Sequence, residues 1–375
     1  MKCLLLAMSF AFSQSGTAMA AQTFKTQAGP VSAQTLARGL ENPWGLAFLP
    51  DGAALVTERA GRLRLLKGET LSSPIEGVPE VAANGQGGLL DIAVAEDFAQ
   101  SGTIYLSYSQ PGEGGAGTAI ARARLIRDAG TARLEDVKTI FSMNRKTATT
   151  QHFGSRIVLH PDGTLFFTIG DRGDGKRAQD PKDHAGSVLR INPDGTIPED
   201  NPFARDQNGA PEIWSIGHRN PQGAFYDPMT QAVWTVEHGA RGGDEVNRPE
   251  AGKNYGWPVI SYGRHYSGLK IGEGTQAPGY EQPLHYWDPS IAPSGADVYR
   301  GAMFPQWQDD VLVAALKYNL VSRLDRDENG QIVGEERLFE GAFGRIRDIN
   351  VAPDGSIWLL TDERDGAIIR IFRED

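Results

Sequence analysis

One phrase recurs along the 375-residue chain and restricts its fold more than any other feature: a few apolar residues, a Pro-Asp-Gly-like turn, then an alternating apolar strand. It reads Gly45-Leu46-Ala47-Phe48-Leu49-Pro50-Asp51-Gly52 followed by Ala53 to Thr57. It returns as Arg156-Ile157-Val158-Leu159-His160-Pro161-Asp162-Gly163 before Thr164 to Ile169, and as Asp348-Ile349-Asn350-Val351-Ala352-Pro353-Asp354-Gly355 before Ser356 to Thr361. Each copy reads as strand, tight turn, strand. Looser copies start near Leu90 with Glu96-Asp97-Phe98 at the turn, near Ala224 with Asp227-Pro228-Met229, and near Ala302 with Phe304-Pro305-Gln306-Trp307.

Six units over the chain beyond residue 20 leave roughly 60 residues each, enough for a four-stranded blade and one long loop, so the expected fold is all-β, a six-bladed β-propeller. The 45 glycines and 22 prolines suit a chain rich in tight turns. A β-sandwich does not account for six copies spread over the full length. In a closed ring the inter-strand loops converge at the mouth of a central channel, and function is expected there. The stretches 170–220 and 237–300 break the repeat, are too long for turns, and are dense in Trp, His, Arg and Asp.

Residues 1–20 carry Lys2, an apolar run from Cys3 to Phe12 and small residues ending Ala18-Met19-Ala20, the layout of a secretory signal peptide cleaved after Ala20. Residues 21–375 then form a single propeller domain. Cys3 is the one cysteine and leaves with the signal, so the mature chain has no disulfide and no thiolate metal site. Export without disulfides points to a bacterial periplasm. No later segment approaches the ~20 apolar residues of a membrane span. The formal charge of −10 argues against nucleic acid, which rewards clustered Lys and Arg.

Several motifs sit where blade loops should meet. Gln151-His152-Phe153-Gly154-Ser155-Arg156 immediately precedes a predicted inner strand, and histidine is the side chain whose ordinary pKa suits a general base. Gly217-His218-Arg219-Asn220-Pro221-Gln222-Gly223 offers adjacent Arg and Asn donors to an anionic or carbonyl-rich ligand. Lys317-Tyr318-Asn319 follows the apolar strand Val311 to Leu316, and alternation puts Arg345 and Arg347 on one side of the last repeat. With Arg219 these form a positive cluster on an acidic protein, which implies a small polyanionic ligand. Glu237-His238-Gly239-Ala240-Arg241-Gly242-Gly243-Asp244-Glu245, continuing to Asn254-Tyr255-Gly256-Trp257-Pro258, combines free carbonyls with acids, the hard oxygen ligands calcium prefers, though without EF-hand spacing. Nucleotide, zinc-protease and serine-hydrolase signatures are missing.

Taken in order, Gly85-Gln86-Gly87-Gly88-Leu89-Leu90, His152 in its setting, Gly217 to Gly223, Glu237 to Pro258, Lys317 and the Arg345/Arg347 pair resemble the soluble dehydrogenases of glucose and aldose sugars that depend on pyrroloquinoline quinone (PQQ). The resemblance covers essentially the whole mature chain and is closest to the bacterial aldose sugar dehydrogenases. It implies oxidation of an aldose at C1 to the lactone, with PQQ lying over the channel mouth and electrons passing to an external quinone, cytochrome or dye. It implies that His152 is the general base and that Arg219 stabilises negative charge on the quinone oxygen. Gln86, Asn220, Lys317, Tyr318, Asn319, Arg345 and Arg347 should hold the cofactor, with Tyr266 a further contact. The carbonyls of Gly239 and Ala240 match the cofactor calcium site, and Glu245 and Tyr255 match a structural calcium site.

Two departures bear on specificity. Glucose-specific members carry an acid or its amide just before the base, where this chain has Gln151, and a proline where it has Ala240. Both point to a broader aldose range. Two rival readings are a non-catalytic calcium-binding propeller that recognises glycans or proteins, and a metal-dependent lactonase. The second requires several carboxylate or Asn ligands around one axial metal and has no use for the cation cluster. A monomer or a homodimer fits the sequence equally.

Overall fold

The computed structural model describes residues 21–128 and 131–374. The segment read as a signal peptide, Cys3 included, lies outside them. The regular structure of the described chain is almost entirely strand, arranged in six antiparallel sheets. The inner strands of blades 1 to 6 are Pro43–Phe48, Leu89–Val94, Ile157–Leu159, Pro221–Asp227, Pro293–Val298 and Ile346–Val351. Blade 6 closes the ring: Ile346–Val351, Ile357–Thr361 and Gly366–Phe372 are completed by Gly29–Leu40 from the other end of the chain, with Gln22–Thr26 as a fifth strand. Pairing the two chain ends in one sheet removes two exposed edges at once.

Apolar side chains fill the space between neighbouring blades. Leu55 and Leu63 of blade 1 pack on Leu89, Ile104 and Leu106 of blade 2, all buried. Hydroxyls stitch the blades nearer the axis. Thr57 accepts from the Gly45 amide at 2.9 Å and donates to the Leu90 carbonyl of blade 2. Ser107 repeats the device between Asp91 and Ser155, and Thr168 between Arg156 and Pro221. A buried serine or threonine serves here because it both donates and accepts, satisfying main-chain groups that the ladder leaves free.

Register breaks next to the mouth in five of the six inner strands, between Pro43 and Leu46, Leu89 and Ile92, Pro221 and Gly223, Pro293 and Ala296, and Ile346 and Asp348. Bulges re-aim side chains, and those freed here include Asp91, Gln222 and Arg347. On the axis Arg156 bridges Asp91 at 2.9 Å and Asp348 at 3.0 Å and donates to the Gln222 carbonyl at 3.1 Å, tying blades 2, 3, 4 and 6.

One repeat copy is displaced from its expected place. The strand expected near Ala302 is Pro293–Val298, while Ala302 and Met303 lie in a connecting loop and Pro305–Trp307 forms a short 3-10 turn. The longer connection moved the Pro-containing turn away from its strand. The two stretches that break the repeat also contain blade strands, Ser187–Ile191 and Ile213–Ile216 in the first, Asp244–Asn247, His285–Trp287 and Pro293–Val298 in the second. Long insertions between those strands hid their spacing.

Burial pushes the carboxyl of Asp297, on the inner strand of blade 5, up to about 7. A folded-state pKa above the unfolded value confers stability that is complete below the unfolded pKa and is lost as pH rises through the folded one. Asp297→Asn is therefore expected to gain stability relative to the parent as pH rises from about 5 to about 8. Urea unfolding at a series of pH values checks this, and a difference between the two proteins that does not vary with pH contradicts it.

Candidate active site

The side chains singled out from the sequence gather at the face where the inner strands begin. His152 lies in the loop leading into blade 3, with φ 53°, beside Gly154 at 61° and Ser155 at 88°. Three left-handed residues in four fold the loop back on itself and turn the imidazole toward the mouth. The Gln86 side chain accepts from the His152 amide at 2.7 Å, so Gln86 braces the base as well as bordering the site.

His152 Nδ1 lies 2.6 Å from Asp171 Oδ1. The same carboxylate accepts from the Gly173 amide at 2.7 Å and from the Trp257 indole at 2.7 Å. Burial alone raises the Asp171 pKa, but the His152 hydrogen bond and charge outweigh it and hold the carboxyl below its usual value. Asp171 stays ionised, fixes the proton on Nδ1, and leaves Nε2 as the acceptor that a general base needs. The Asp171 amide donates to the Arg219 carbonyl at 2.8 Å, which joins the loop of the base to the loop of the arginine.

Arg219 is 8% exposed, donates to the carbonyls of His238 and Gly239, and lies over the Trp257 ring at 5.2 Å. Its amide is held at 2.6 Å by Glu237, which also receives His218 Nδ1 at 2.8 Å. Asn220 accepts from the Gly154 amide at 3.1 Å. Arg347 donates to Gln222 at 2.7 Å and to Asp362 at 2.6 Å, and Arg345 reaches the same Asp362 oxygen at 3.4 Å. Strict alternation fails at the bulge, yet both arginines converge as the sequence led us to expect. Lys317 is exposed, with its ammonium 4.7 Å from the Tyr318 ring, and Tyr318 and Asn319 are both left-handed, at 65° and 53°, in the turn after Val311–Ala315.

A cleft of about 700 Å³ opens between these loops, bordered by His238, Gly239, Ala240, Tyr266, Ser290 and Lys317. Tyr266 stands 74% exposed on a small hairpin in which Arg264 pairs with Lys270. Gln86, His152, Arg219, Asn220, Tyr318, Asn319, Arg345 and Arg347 are not among the residues bordering this cleft, and Arg219 borders the smaller cavity beside it.

Several buried donors in this region, among them Arg59 Nε, Arg219 Nε, Asn220 Nδ2 and Arg347 Nε, have no hydrogen-bond partner. Buried donors are rarely left unsatisfied, so this surface suits an anionic ligand rich in acceptors, and a planar tricarboxylate quinone such as PQQ meets that description.

For calcium the picture is more selective. Among the described residues no group of three or more His, Cys, Asp or Glu side chains is gathered as a metal cage. Any calcium ligands would have to come largely from carbonyls, and Gly239 and Ala240 lie side by side at the cleft, although the Gly239 carbonyl already receives Arg219. Glu245 and Tyr255 border a second, smaller cavity with Glu237, Gly239 and Trp257. Burial, and then the charge of Glu237, pushes the Glu245 carboxyl up to about 8, which a cation beside it would reverse. The Tyr255 hydroxyl is committed to the Arg248 carbonyl and the Glu250 amide, so this residue can offer a cation only its main-chain oxygen. The axial position that a lactonase metal would need holds Arg156.

Sequence reasoning missed Asp171, Trp257, Gln222 and Asp362. A signal was present for the acids. Glu58, Asp171, Glu237 and Asp362 stand at or just beyond the end of the second strand in blades 1, 3, 4 and 6, and each bonds a loop at the mouth.

Residues 40–370 match the Glucose / Sorbosone dehydrogenase family. The chain is 44% identical over 347 residues to the aldose sugar dehydrogenase YliI of Escherichia coli, covering 91% of this chain and 92% of that protein. The crystal structure of the soluble aldose sugar dehydrogenase from Escherichia coli in its apo form superposes with a TM-score of 0.88 at 43% identity, over 92% of this chain and all of the other (100%). The PQQ-bound aldose sugar dehydrogenase of Streptomyces coelicolor gives 0.76 at 29% identity, over 91% and 98%.

Proposed function

The chain belongs to the glucose/sorbosone dehydrogenase family, and on that premise we propose that it oxidises aldose sugars at C1 to lactones as a calcium-containing PQQ enzyme. The observation that carries the reading is the pairing of an oriented base, His152 on Asp171, with unpartnered buried donors from separate loops. When bound, PQQ supplies the two-electron acceptor for the hydride leaving C1.

The chain's own residues do the rest. His152 Nε2 takes the C1 hydroxyl proton as the hydride departs, and Asp171 stabilises the imidazolium that results. Arg219, held by Glu237 through its amide, presents its guanidinium to charge developing on the quinone oxygen, without reorganising during the reaction. Lys317, Arg345 and Arg347 pair with the cofactor's carboxylates, with Gln86, Asn220, Tyr266, Tyr318 and Asn319 completing its surroundings. Gly239 and Ala240 hold the cofactor calcium, Glu245 and Tyr255 a structural one. Electrons leave to an external quinone, cytochrome or dye. The first 20 residues support export to the periplasm.

Mixing purified protein with PQQ and calcium, then adding an aldose and a dye acceptor, tests the reading. Dye reduction is expected only with both additions. A glycan-recognising propeller predicts none. Because Gln151 and Ala240 depart from the glucose-specific pattern, kcat/KM is expected to differ little among several aldoses, and strong preference for one sugar contradicts that expectation.

A further inference from the structure

Asp362 stands just beyond the second strand of blade 6, the place Asp171 occupies in blade 3. Its side chain is 7% exposed. One carboxylate oxygen receives Arg347 at 2.6 Å and Arg345 at 3.4 Å, and the other receives the Asn42 amide group at 3.2 Å. Arg59 adds a third positive charge that acts on the same carboxylate. Burial favours a neutral acid, but Arg347, Arg59 and Arg345 outweigh it and hold the carboxyl far below the usual carboxylate range, so Asp362 is an anion at every working pH.

The cations of the mouth thus fall into two classes. Among the described residues Lys317 and Arg219 have no acidic partner, whereas Arg345 and Arg347 share one. We propose that Asp362 is an internal counter-ion to the arginines that receive the cofactor, and that its charge limits how tightly the chain retains that cofactor; this rests on the quinone reading above. The carboxylate holds Arg347 in place as a buried cation, which by itself would be costly. It also repels an incoming carboxylate that seeks the same guanidiniums. At protein-like dielectric a charge a few ångströms away changes affinity by roughly tenfold or more. Were Asp362 only a scaffold, removing its charge would loosen the arginines and weaken binding, the opposite sign.

Asp362→Asn keeps an acceptor for Arg347 and removes the charge. Asn42→Asp adds a second carboxylate against the same cluster at a residue with φ 47°, which aspartate tolerates. PQQ affinity is read by equilibrium titration of the calcium-loaded proteins, following quinone absorbance. Asp362→Asn is expected to bind at least about tenfold more tightly than the parent while melting at a lower temperature without cofactor; Asn42→Asp is expected to bind several-fold more weakly. Uptake by the parent tests the functional reading, and the order of the three affinities tests the counter-ion. With the parent binding, equal or weaker binding by Asp362→Asn overturns the inference. If that variant does not fold, equal or tighter binding by Asn42→Asp overturns it.

Discussion

Replacing His152 by alanine is expected to lower turnover by roughly 10²–10⁴-fold, the usual contribution of a positioned base, while PQQ uptake stays near that of the parent. The separation follows from the geometry. His152 meets the protein through its amide to Gln86 and its Nδ1 to Asp171, and the cations assigned to the cofactor sit on other loops. Its left-handed backbone, at φ 53°, makes asparagine the gentler companion substitution, since asparagine accepts that conformation readily. Single-turnover reduction of bound quinone by an aldose measures the step directly. A variant that turns over within a few-fold of the parent removes His152 from its role.

Asp171→Asn is expected to cost a comparable amount, on the order of 10²–10⁴-fold in kcat. The carboxylate accepts at both oxygens, from His152 and Gly173 on one and from Trp257 on the other. An amide has one accepting end. If that end faces His152, its NH₂ group meets the Trp257 N–H donor head-on. If the amide turns the other way, the NH₂ faces Nδ1, the imidazole must carry its proton on Nε2, and the base is disabled. Either arrangement also removes the negative charge that supports the imidazolium, so the acidic limb of the pH–rate profile, where a general base becomes protonated, should move to lower pH. Activity within threefold of the parent, with an unchanged profile, contradicts the assignment.

Much of this fold was legible because a propeller repeats its turn chemistry. Pro50-Asp51-Gly52, Pro161-Asp162-Gly163 and Pro353-Asp354-Gly355 mark the inner turns of blades 1, 3 and 6, and local sequence is enough to see them. Ring closure was not legible, because Gly29–Leu40 pairs with a strand more than 300 residues away and carries no turn signature. Blade 5 was misplaced for a local reason, the loop inserted between Val298 and Pro305.

The site divides along the same line. His152, Arg219 and Arg347 could be placed at the mouth because they lie in or within a few residues of an inner strand, whereas Gln86 came only with the family resemblance. Asp171, Trp257 and Asp362 reach them from other loops, and their value lies in an oxygen or nitrogen delivered across the ring. The acid near the end of the second strand was nonetheless a repeat feature, as Glu58, Glu237 and Asp362 show, and aligning the blades on their second strands as well as their first would have exposed it.

The central claim is that loops from separate blades build one receptor for a flat, triply acidic quinone. Titrating the calcium-loaded protein with PQQ measures it most directly. The account predicts saturable uptake of one equivalent per chain, weakened by salt and nearly unaffected by His152→Ala. Absence of saturable uptake at any cofactor concentration, in a protein that is folded and metal-loaded, contradicts it.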